Sequence, residues 1–381
     1  MRLLFQTLAA LLVSFLVPPF PLGIRTLGLM GEGWGEGPSH EALIPYANRW
    51  YDQDYGNLDL LSLLRCDVSR WKGRPNPAFP VTVGGFTMAY DSLRERLVLF
   101  FGADAQGLNL VSETWEWDGA VWERKSLEGP PPRVNQAMVY DGARQVTFLF
   151  GGQGYDETHS IKQLLNDTWI WDGIVWTELL PAESPGPRAG HAMAFDSQQA
   201  QVVLFGGDST DSLDLQGPFL NDTWIWDGVT WTEVPVLNAL SPRFHHAMTH
   251  DSVRGRTVLF GGHAEDAPVG DTWEWDGSNW SEVTAAHMPS NRRGHAMTFD
   301  SDRGVVILFG GELGVGFSRE TWEYDGVDWI LAPIGNSPES ASVALAYDGA
   351  RKEVVLFTGD EPVGTYLNDG EPSCPEQDNQ E

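Results

Sequence analysis

The sequence predicts an all-β fold, a six-bladed propeller of wedge-shaped four-stranded sheets set in a ring, and three observations predict it. An aromatic residue or histidine followed by Asp recurs six times at a spacing of roughly 50 residues. A Thr-Trp block recurs five times between those copies. The chain of 381 residues holds 42 glycines, 24 prolines and 17 tryptophans, a composition of many short strands joined by turns that disfavours a helical bundle.

The first block comprises Tyr90-Asp91, Tyr140-Asp141, Phe195-Asp196, His250-Asp251, Phe299-Asp300 and Tyr347-Asp348. In His191-Ala192-Met193-Ala194-Phe195 the large residues share one parity and the alanines the other. That alternation suits an innermost strand squeezed between two neighbouring sheets, with Asp196-Ser197 opening a turn. An apolar run ending in Phe and Gly follows, as in Val202-Val203-Leu204-Phe205-Gly206-Gly207. The glycine pairs at 151–152, 206–207, 261–262 and 310–311 read as a bend where the chain leaves the sheet. No helix pattern follows them, which excludes a phosphate-binding glycine loop.

The second block spans 114–122 with Trp115, Trp117 and Trp122, then 168–176 with Trp169, Trp171 and Trp176, then 223–231 with Trp224, Trp226 and Trp231. It returns at 272–280 with Trp273, Trp275 and Trp280, and at 321–329 with Trp322 and Trp329, where Tyr324 takes the third aromatic place. Each copy reads as a hairpin: two rings on one face of a strand, an Asp-Gly turn, and a third ring returning on the next strand. These blocks hold fourteen of the 17 tryptophans, so the indoles are expected to pack between sheets and not to stack on sugars.

The sixth copy proceeds from Ala344 through Leu356-Phe357 to Asn368-Asp369, which read as the counterparts of Asn166-Asp167 and Asn221-Asp222. A polar tail over 370–381 follows, so the last sheet is expected to lack its two outer strands. Residues 60–72 repeat the hairpin spacing in degenerate form, with Asp67 and Trp71 placed like Asp172 and Trp176, and Cys66 in the place of Trp171. This N-terminal segment is expected to complete the last sheet and close the ring, giving a propeller over 60–369. Cys66 and Cys374 then both fall on the composite sheet, where a disulfide would clasp the ring; two unpaired thiols are the alternative.

Arg2 followed by the apolar run 3–17 has the layout of a secretory signal over 1–23, which predicts a protein secreted or held in the cell envelope. Prolines at 18, 19 and 21 fill the usual cleavage site, and a start at Met30 is the alternative. Residues 24–59 show no interpretable periodicity and read as a flexible extension. The formal net charge of −29 repels phosphate backbones and anionic lipids, which sets nucleic acid aside as a partner.

With Arg-x-x-His starts, paired glycines and spaced aromatics, the repeat resembles the kelch repeat, of the kind found in the central domain of galactose oxidase. The likeness covers roughly 310 residues, 60 to 369. It implies a ligand at one mouth of the central channel, held by the connections between second and third strands at 153–165, 208–220, 263–270 and 312–319. Arg133, Arg188, Arg243 and Arg292 stand at a fixed offset before their inner strands. In some kelch relatives that position grips acidic peptides or carboxylate-bearing sugars, and an intramolecular bridge to a turn aspartate is the alternative. The first unit has Gly84-Gly85-Phe86 there and the sixth has Ser340.

His191, His246 and His295 share one site in three successive units, with Gln136 before them. Their parity with Met193 and Phe195 favours a structural hydrogen-bonding role over a metal. His245, His246, His250 and His263 fit no zinc spacing, and Asp208, Asp211 and Asp214 carry only a weak calcium signal. Copper radical oxidases and a sialic-acid isomerising enzyme share the kelch-like fold. The former need a tyrosine crosslinked to a cysteine, and both cysteines here lie at the closure seam. The expectation is therefore a monomeric binding protein without a cofactor, recognising a glycan or a protein partner. A carbohydrate-active enzyme and an intracellular adaptor are the alternatives.

Overall fold

The computed structural model describes residues 71–74, 85–103, 110–126, 128–155, 162–210, 217–236, 240–332, 337–338, 343–359 and 364–368. They form six antiparallel sheets. Strand β1 (Lys72–Arg74) stands apart in sequence from the rest of its sheet. Blade 1 holds β2 (Thr87–Asp91), β3 (Arg96–Ala103), β4 (Leu110–Trp117) and β5 (Trp122–Ser126). Blade 2 holds β6 (Arg133–Val134), β7 (Ala137–Asp141), β8 (Val146–Tyr155), β9 (Lys162–Trp171) and β10 (Trp176–Leu179). Blade 3 holds β11 (Ala192–Asp196), β12 (Gln201–Asp208), β13 (Phe219–Trp226) and β14 (Trp231–Val234). Blade 4 holds β15 (Ala247–Asp251), β16 (Arg256–Ala264), β17 (Ala267–Trp275) and β18 (Trp280–Val283). Blade 5 holds β19 (Ala296–Asp300), β20 (Val305–Phe309), β21 (Thr321–Tyr324) and β22 (Trp329–Ala332). Blade 6 takes β23 (Val343–Asp348), β24 (Glu353–Thr358) and β25 (Gly364–Asn368), and β1 pairs on its outer edge. Five blades are thus continuous in sequence and the sixth is composite.

The small-and-large alternation sets the packing between blades. In blade 3, Met193 faces blade 2 with Val202, Leu204, Trp226 and Trp231, against Ala137, Phe148 and Phe150. Ala192, Ala194, Val203 and Phe205 face the other way, against Met248, Trp275 and Trp280 of blade 4. Six such clusters occupy the six junctions, including the seam where Val355 and Phe357 of blade 6 meet Trp115, Trp117 and Trp122 of blade 1. Burying one large aromatic set per junction is the main apolar term holding the ring. Polar pins cross the same junctions. Trp176, Trp231, Trp280 and Trp329 each donate their indole N–H to the threonine that opens the preceding hairpin block, at 2.8, 3.2, 3.0 and 2.9 Å.

Closure follows the sequence expectation in kind and corrects it in detail. The last blade lacks one strand and not two. Its third strand is β25, whose Thr365, Leu367 and Asn368 pair with Phe357, Val355 and Val354, the register that Thr223, Ile225 and Trp226 keep with Phe205, Val203 and Val202. Thr365-Tyr366-Leu367-Asn368 is therefore the degenerate Thr-Trp block, and the earlier match of Asn368-Asp369 to Asn166-Asp167 was out of register. The N-terminal segment contributes β1, with Lys72 opposite Leu367, and Trp71 packs edge-on against Phe309 at 5.6 Å. Trp176 meets Phe100 in the same way at 5.8 Å. Cys66 and Cys374, with the proposed clasp between them, lie outside the described residues, as do the signal, the extension and the tail. Among the described residues, no helix is long and apolar enough to cross a membrane.

Candidate functional site

The ladder registers separate the two ends of the ring. Asp91 pairs with Arg96, and Leu97 with Trp117, so the turns after the inner strands and the Asp-Gly hairpin tips share one face. The arginines, the glycine pairs and the connections between second and third strands share the opposite face, the mouth. In blades 2 to 4 the glycine pairs do not end the strand as expected. They form a bulge inside the long second strand, after which pairing resumes, at Gly207 with Leu220 and Asp208 with Phe219 in blade 3. In blade 5 the second strand ends at Phe309, just before Gly310-Gly311. Both glycines of each pair take positive φ, 64° and 107° at Gly206 and Gly207, a conformation costly to any other residue.

The arginine ring belongs to the blades and not to a ligand. Arg133, Arg188, Arg243 and Arg292 are 0–2 % exposed. Arg188 donates from Nη1 and Nη2 to the two carboxylate oxygens of Asp222, both at 2.7 Å, and also to the carbonyls of Gly206 and Gly186 at 3.0 Å each. Asp167 and Asp271 serve Arg133 and Arg243 in the same two-point way, while Glu320 accepts from Arg292 at one oxygen, 2.7 Å, and Ser318 takes the other nitrogen. The same carboxylates accept the first indole of each hairpin block, as in Trp224 to Asp222 at 2.7 Å. Burial works to raise the pKa of Asp222, but the Arg188 hydrogen bonds and charge hold it below the usual carboxylate range. The arginine backbone is held as well: its N–H donates to Leu165 of the blade before, and its carbonyl accepts from Gly152. A ligand carboxylate has no open guanidinium here, which corrects the expectation of a carboxylate-gripping ring.

The three repeat histidines also turn inward. His191, His246 and His295 pack edge-on against Phe150, Phe205 and Phe260 of the preceding blade, each at 5.5 Å. Each imidazole also faces the backbone of that same phenylalanine, which acts to raise its pKa, while no ring nitrogen reaches a hydrogen bond of full geometry among the described residues. Burial first, and then the neighbouring arginine, pushes His191 and His295 down to about 3. The imidazoles are neutral spacers at neutral pH, and Phe86, Gln136 and Val343 fill the equivalent places in the other blades. Among the described residues, no group of three or more His, Cys, Asp or Glu is placed to hold a metal.

The site that departs from the repeat sits at the mouth. The inner strands enclose a channel of about 260 Å³, lined by Met88, Met138, Met193, Met248, Met297 and Leu345 with small residues between them. At its rim one residue in each of blades 1 to 5 takes positive φ: Gly85 at 61°, Asn135 at 57°, Gly190 at 66°, His245 at 52° and Gly294 at 64°. Backbone hydrogen bonds of 2.7–2.8 Å run around this rim, from Gly190 to Asn135, His245 to Gly190 and Gly294 to His245. Four of the five positions carry Gly or Asn, which tolerate the left-handed region, and blade 4 alone places a histidine there.

His245 lies against Phe244 with ring centroids 4.7 Å apart, and Phe244 meets Phe219 at 4.7 Å and His263 at 5.3 Å. Burial, and after it the Arg293 charge, pushes His245 down to about 4 and lowers His263 as well. Arg293 closes a two-point pair with Glu312 at 2.8 and 3.0 Å, which holds that carboxyl below its ordinary range. Beyond Glu312 the blade 5 connection makes a tight turn, Leu313 N–H to Gly316 O at 3.0 Å, that lifts Val315 to 93 % exposure. Leu313 and Phe317 flank it at 36 % and 42 %. Of the expected specificity connections, 263–270 is a short hairpin with Glu265 at φ 47°, while 156–161 and 211–216, with Asp211 and Asp214, lie outside the described residues.

This geometry is matched by comparison with known proteins. A family model described as the KLHDC2/KLHL20/DRC7 Kelch-repeats domain matches residues 174–359. Residues 174–359 thus carry kelch repeats, and the fold is that of a kelch-type β-propeller. The kelch ring is also similar to the solved structure of YjhT, with a TM-score of 0.59 at 15% identity over 77% of this chain and 95% of that one, a likeness of fold alone. Among curated proteins it is 32% identical over 157 residues to the dynein alpha chain of the flagellar outer arm of Chlamydomonas reinhardtii. It is 29% identical over 119 residues to dynein regulatory complex subunit 7 of the same organism. Those matches span 39% and 29% of this chain but only 3% and 10% of the two relatives.

Proposed function

We propose that this kelch propeller is a non-catalytic recognition module that binds a protein segment at the channel mouth, across blades 3 to 5. The carrying observation is His245. A full side chain stands in the left-handed region where the other described blades use Gly or Asn, a strain of roughly 1 kcal/mol that the fold itself does not require. The neutral imidazole offers a donor and an acceptor next to the Phe244–Phe219 ring pair, of which Phe219 is partly exposed and Phe244 buried, and the apolar turn at Val315 supplies exposed contact area for a partner's side chains. A protein segment suits this combination better than a glycan, because the exposed contacts are aliphatic and the arginines are engaged within the blades. Both curated relatives, named for a flagellar outer arm and for a regulatory complex, sit in protein assemblies, which supports the same reading.

Peptide and glycan arrays probed with the wild-type chain and with a His245→Asn/Val315→Ser variant test it. Peptide signals that vanish in the variant, with the melting temperature unchanged, are the expected outcome. Glycan signals indifferent to both substitutions overturn it. The location proposed from residues 2–17 is outside the cell or in its envelope. Fractionation with N-terminal sequencing checks it, and an unprocessed chain in the cytoplasm supports the adaptor reading instead.

A further inference from the structure

The face opposite the mouth carries side chains that the fold does not need. At the hairpin tips joining third and fourth strands, Asp Oδ1 accepts the two amides that close the turn, as Asp172 does from Ile174 and Val175 at 2.8 Å each. The turn is then complete whatever side chains follow, and blade 4 shows this with Ser278 and Asn279. Yet the other described tips present Val121, Ile174, Val175, Val229 and Val327, between 52 % and 84 % exposed. Leu93 and Val253, in the turns after the inner strands of blades 1 and 4, add to the same face at 58 % and 67 %.

These tips are joined and not scattered. Arg144 of blade 2 donates to the Asp227 carbonyl of blade 3, and Arg351 of blade 6 to the Asp118 carbonyl of blade 1, so the first turn of one blade is latched to the hairpin tip of the next. The arginines Arg94, Arg144, Arg254, Arg303 and Arg351 are each paired with the Asp ending their inner strand, at 2.6–2.7 Å. Among the described residues the tip carboxylates of Asp118, Asp227 and Asp276 close no such ion pair. The turn amides, with the nearby charges of Arg96, Arg144 and Arg256, hold them below the ordinary carboxylate range, so the rim is apolar with ionised carboxylates on a chain of net charge −29.

From this we infer that the hairpin-tip rim is a second docking surface, which receives a protein bearing an apolar ridge flanked by Lys and Arg. The sign of the charge disfavours an anionic membrane or a second copy of this acidic chain.

The test uses the full chain and an amphipathic helical peptide of Leu and Lys, with a Leu and Glu peptide as counterpart, in calorimetric titration. An Ile174→Ser/Val175→Asn/Val229→Ser/Val327→Ser variant borrows the blade 4 tip and leaves the charge unchanged. The expected result is binding of the Lys peptide, weakened at least about tenfold in the variant and strengthened by Ser278→Val with Asn279→Val. Hydrogen exchange is expected to slow at residues 118–122, 172–176 and 227–231. Equal affinity of wild type and variant, equal binding of the Glu peptide, or protection confined to the mouth overturns the inference. So does a dimer in sedimentation that the variant abolishes, which would make a second copy the occupant.

Discussion

Replacing Arg188 with Met is expected to destabilise the ring by about 3 kcal/mol while leaving ligand binding intact. The substitution removes two charged hydrogen bonds to Asp222 at 2.7 Å and two to the carbonyls of Gly206 and Gly186 at 3.0 Å. Breaking a buried ion pair costs roughly 3–5 kcal/mol, mainly by stranding the partner charge, and the 21 % exposure of Asp222 places the value at the lower end. Adding Asp222→Leu removes the stranded charge and should restore about half of the loss, although Trp224 then lacks its acceptor. Urea titration followed by indole fluorescence and by far-ultraviolet circular dichroism reads both variants from the shift in midpoint. The pH dependence has a fixed sign. The folded-state pKa of Asp222 is depressed, so its stabilisation is present above the ordinary value near 3.8 and disappears as pH falls through the folded value. A loss under about 1 kcal/mol, or a double variant less stable than the single one, refutes the assignment of these arginines to the blades.

Other consequences follow from the same geometry. Changing His191, His246 and His295 to Gln, the residue blade 2 uses, should flatten the acid limb of stability. His191 and His295 are held down to about 3, so the unfolded chain takes up protons first, and stability falls as pH drops from about 6.5 toward 3; equal slopes in urea titrations across that window contradict this. Thr168→Val strands the Trp231 indole N–H, now 3.2 Å from its acceptor, and should cost about 1–2 kcal/mol in the urea midpoint, where no change would deny the pin. Trp71→Ala removes the contact with Phe309 at the seam and should cost about 3 kcal/mol, and an undisturbed melt would show that β1 does not close the ring. His245→Asn, the residue blade 2 places on the rim, should leave stability within about 1 kcal/mol yet abolish partner binding.

How much of this was legible in the sequence depended on how faithfully each blade repeats the motif. The Trp-x-Trp hairpins and the Ala-Met alternation could be assigned to faces before any coordinates, because period-two patterning fixes which neighbour a side chain meets. Blade 6 was misread because Tyr366 and Asn368 replace both tryptophans of the block, and only the pairing with Val354 to Phe357 reveals the register. The arginine partners stand in the sequence as the acidic residue before the Thr-Trp pair, at Asp167, Asp222, Asp271 and Glu320, of which Asp167 and Asp222 served only as register marks. No local pattern could show that a residue 28 or 34 positions later completes the clamp. The stitch from Gly152 to the Arg188 carbonyl is backbone to backbone across blades and leaves no side-chain signature. At the mouth, His245 was noted as one histidine among four. Its distinction is a positive φ, which becomes readable once blade alignment sets it beside Gly190, Gly294 and Asn135.

The account turns on a division of labour in which residues common to the blades hold the ring and departures at the mouth recognise the partner. Hydrogen exchange on the full chain, with and without the strongest peptide from the array, measures that division directly. Slowed exchange at 244–246, 263–269 and 312–317, with Arg188 and the hairpin tips unaffected, is the predicted footprint. A footprint that spares blade 4 and falls on the arginine segments, or lies wholly away from the mouth, would contradict it.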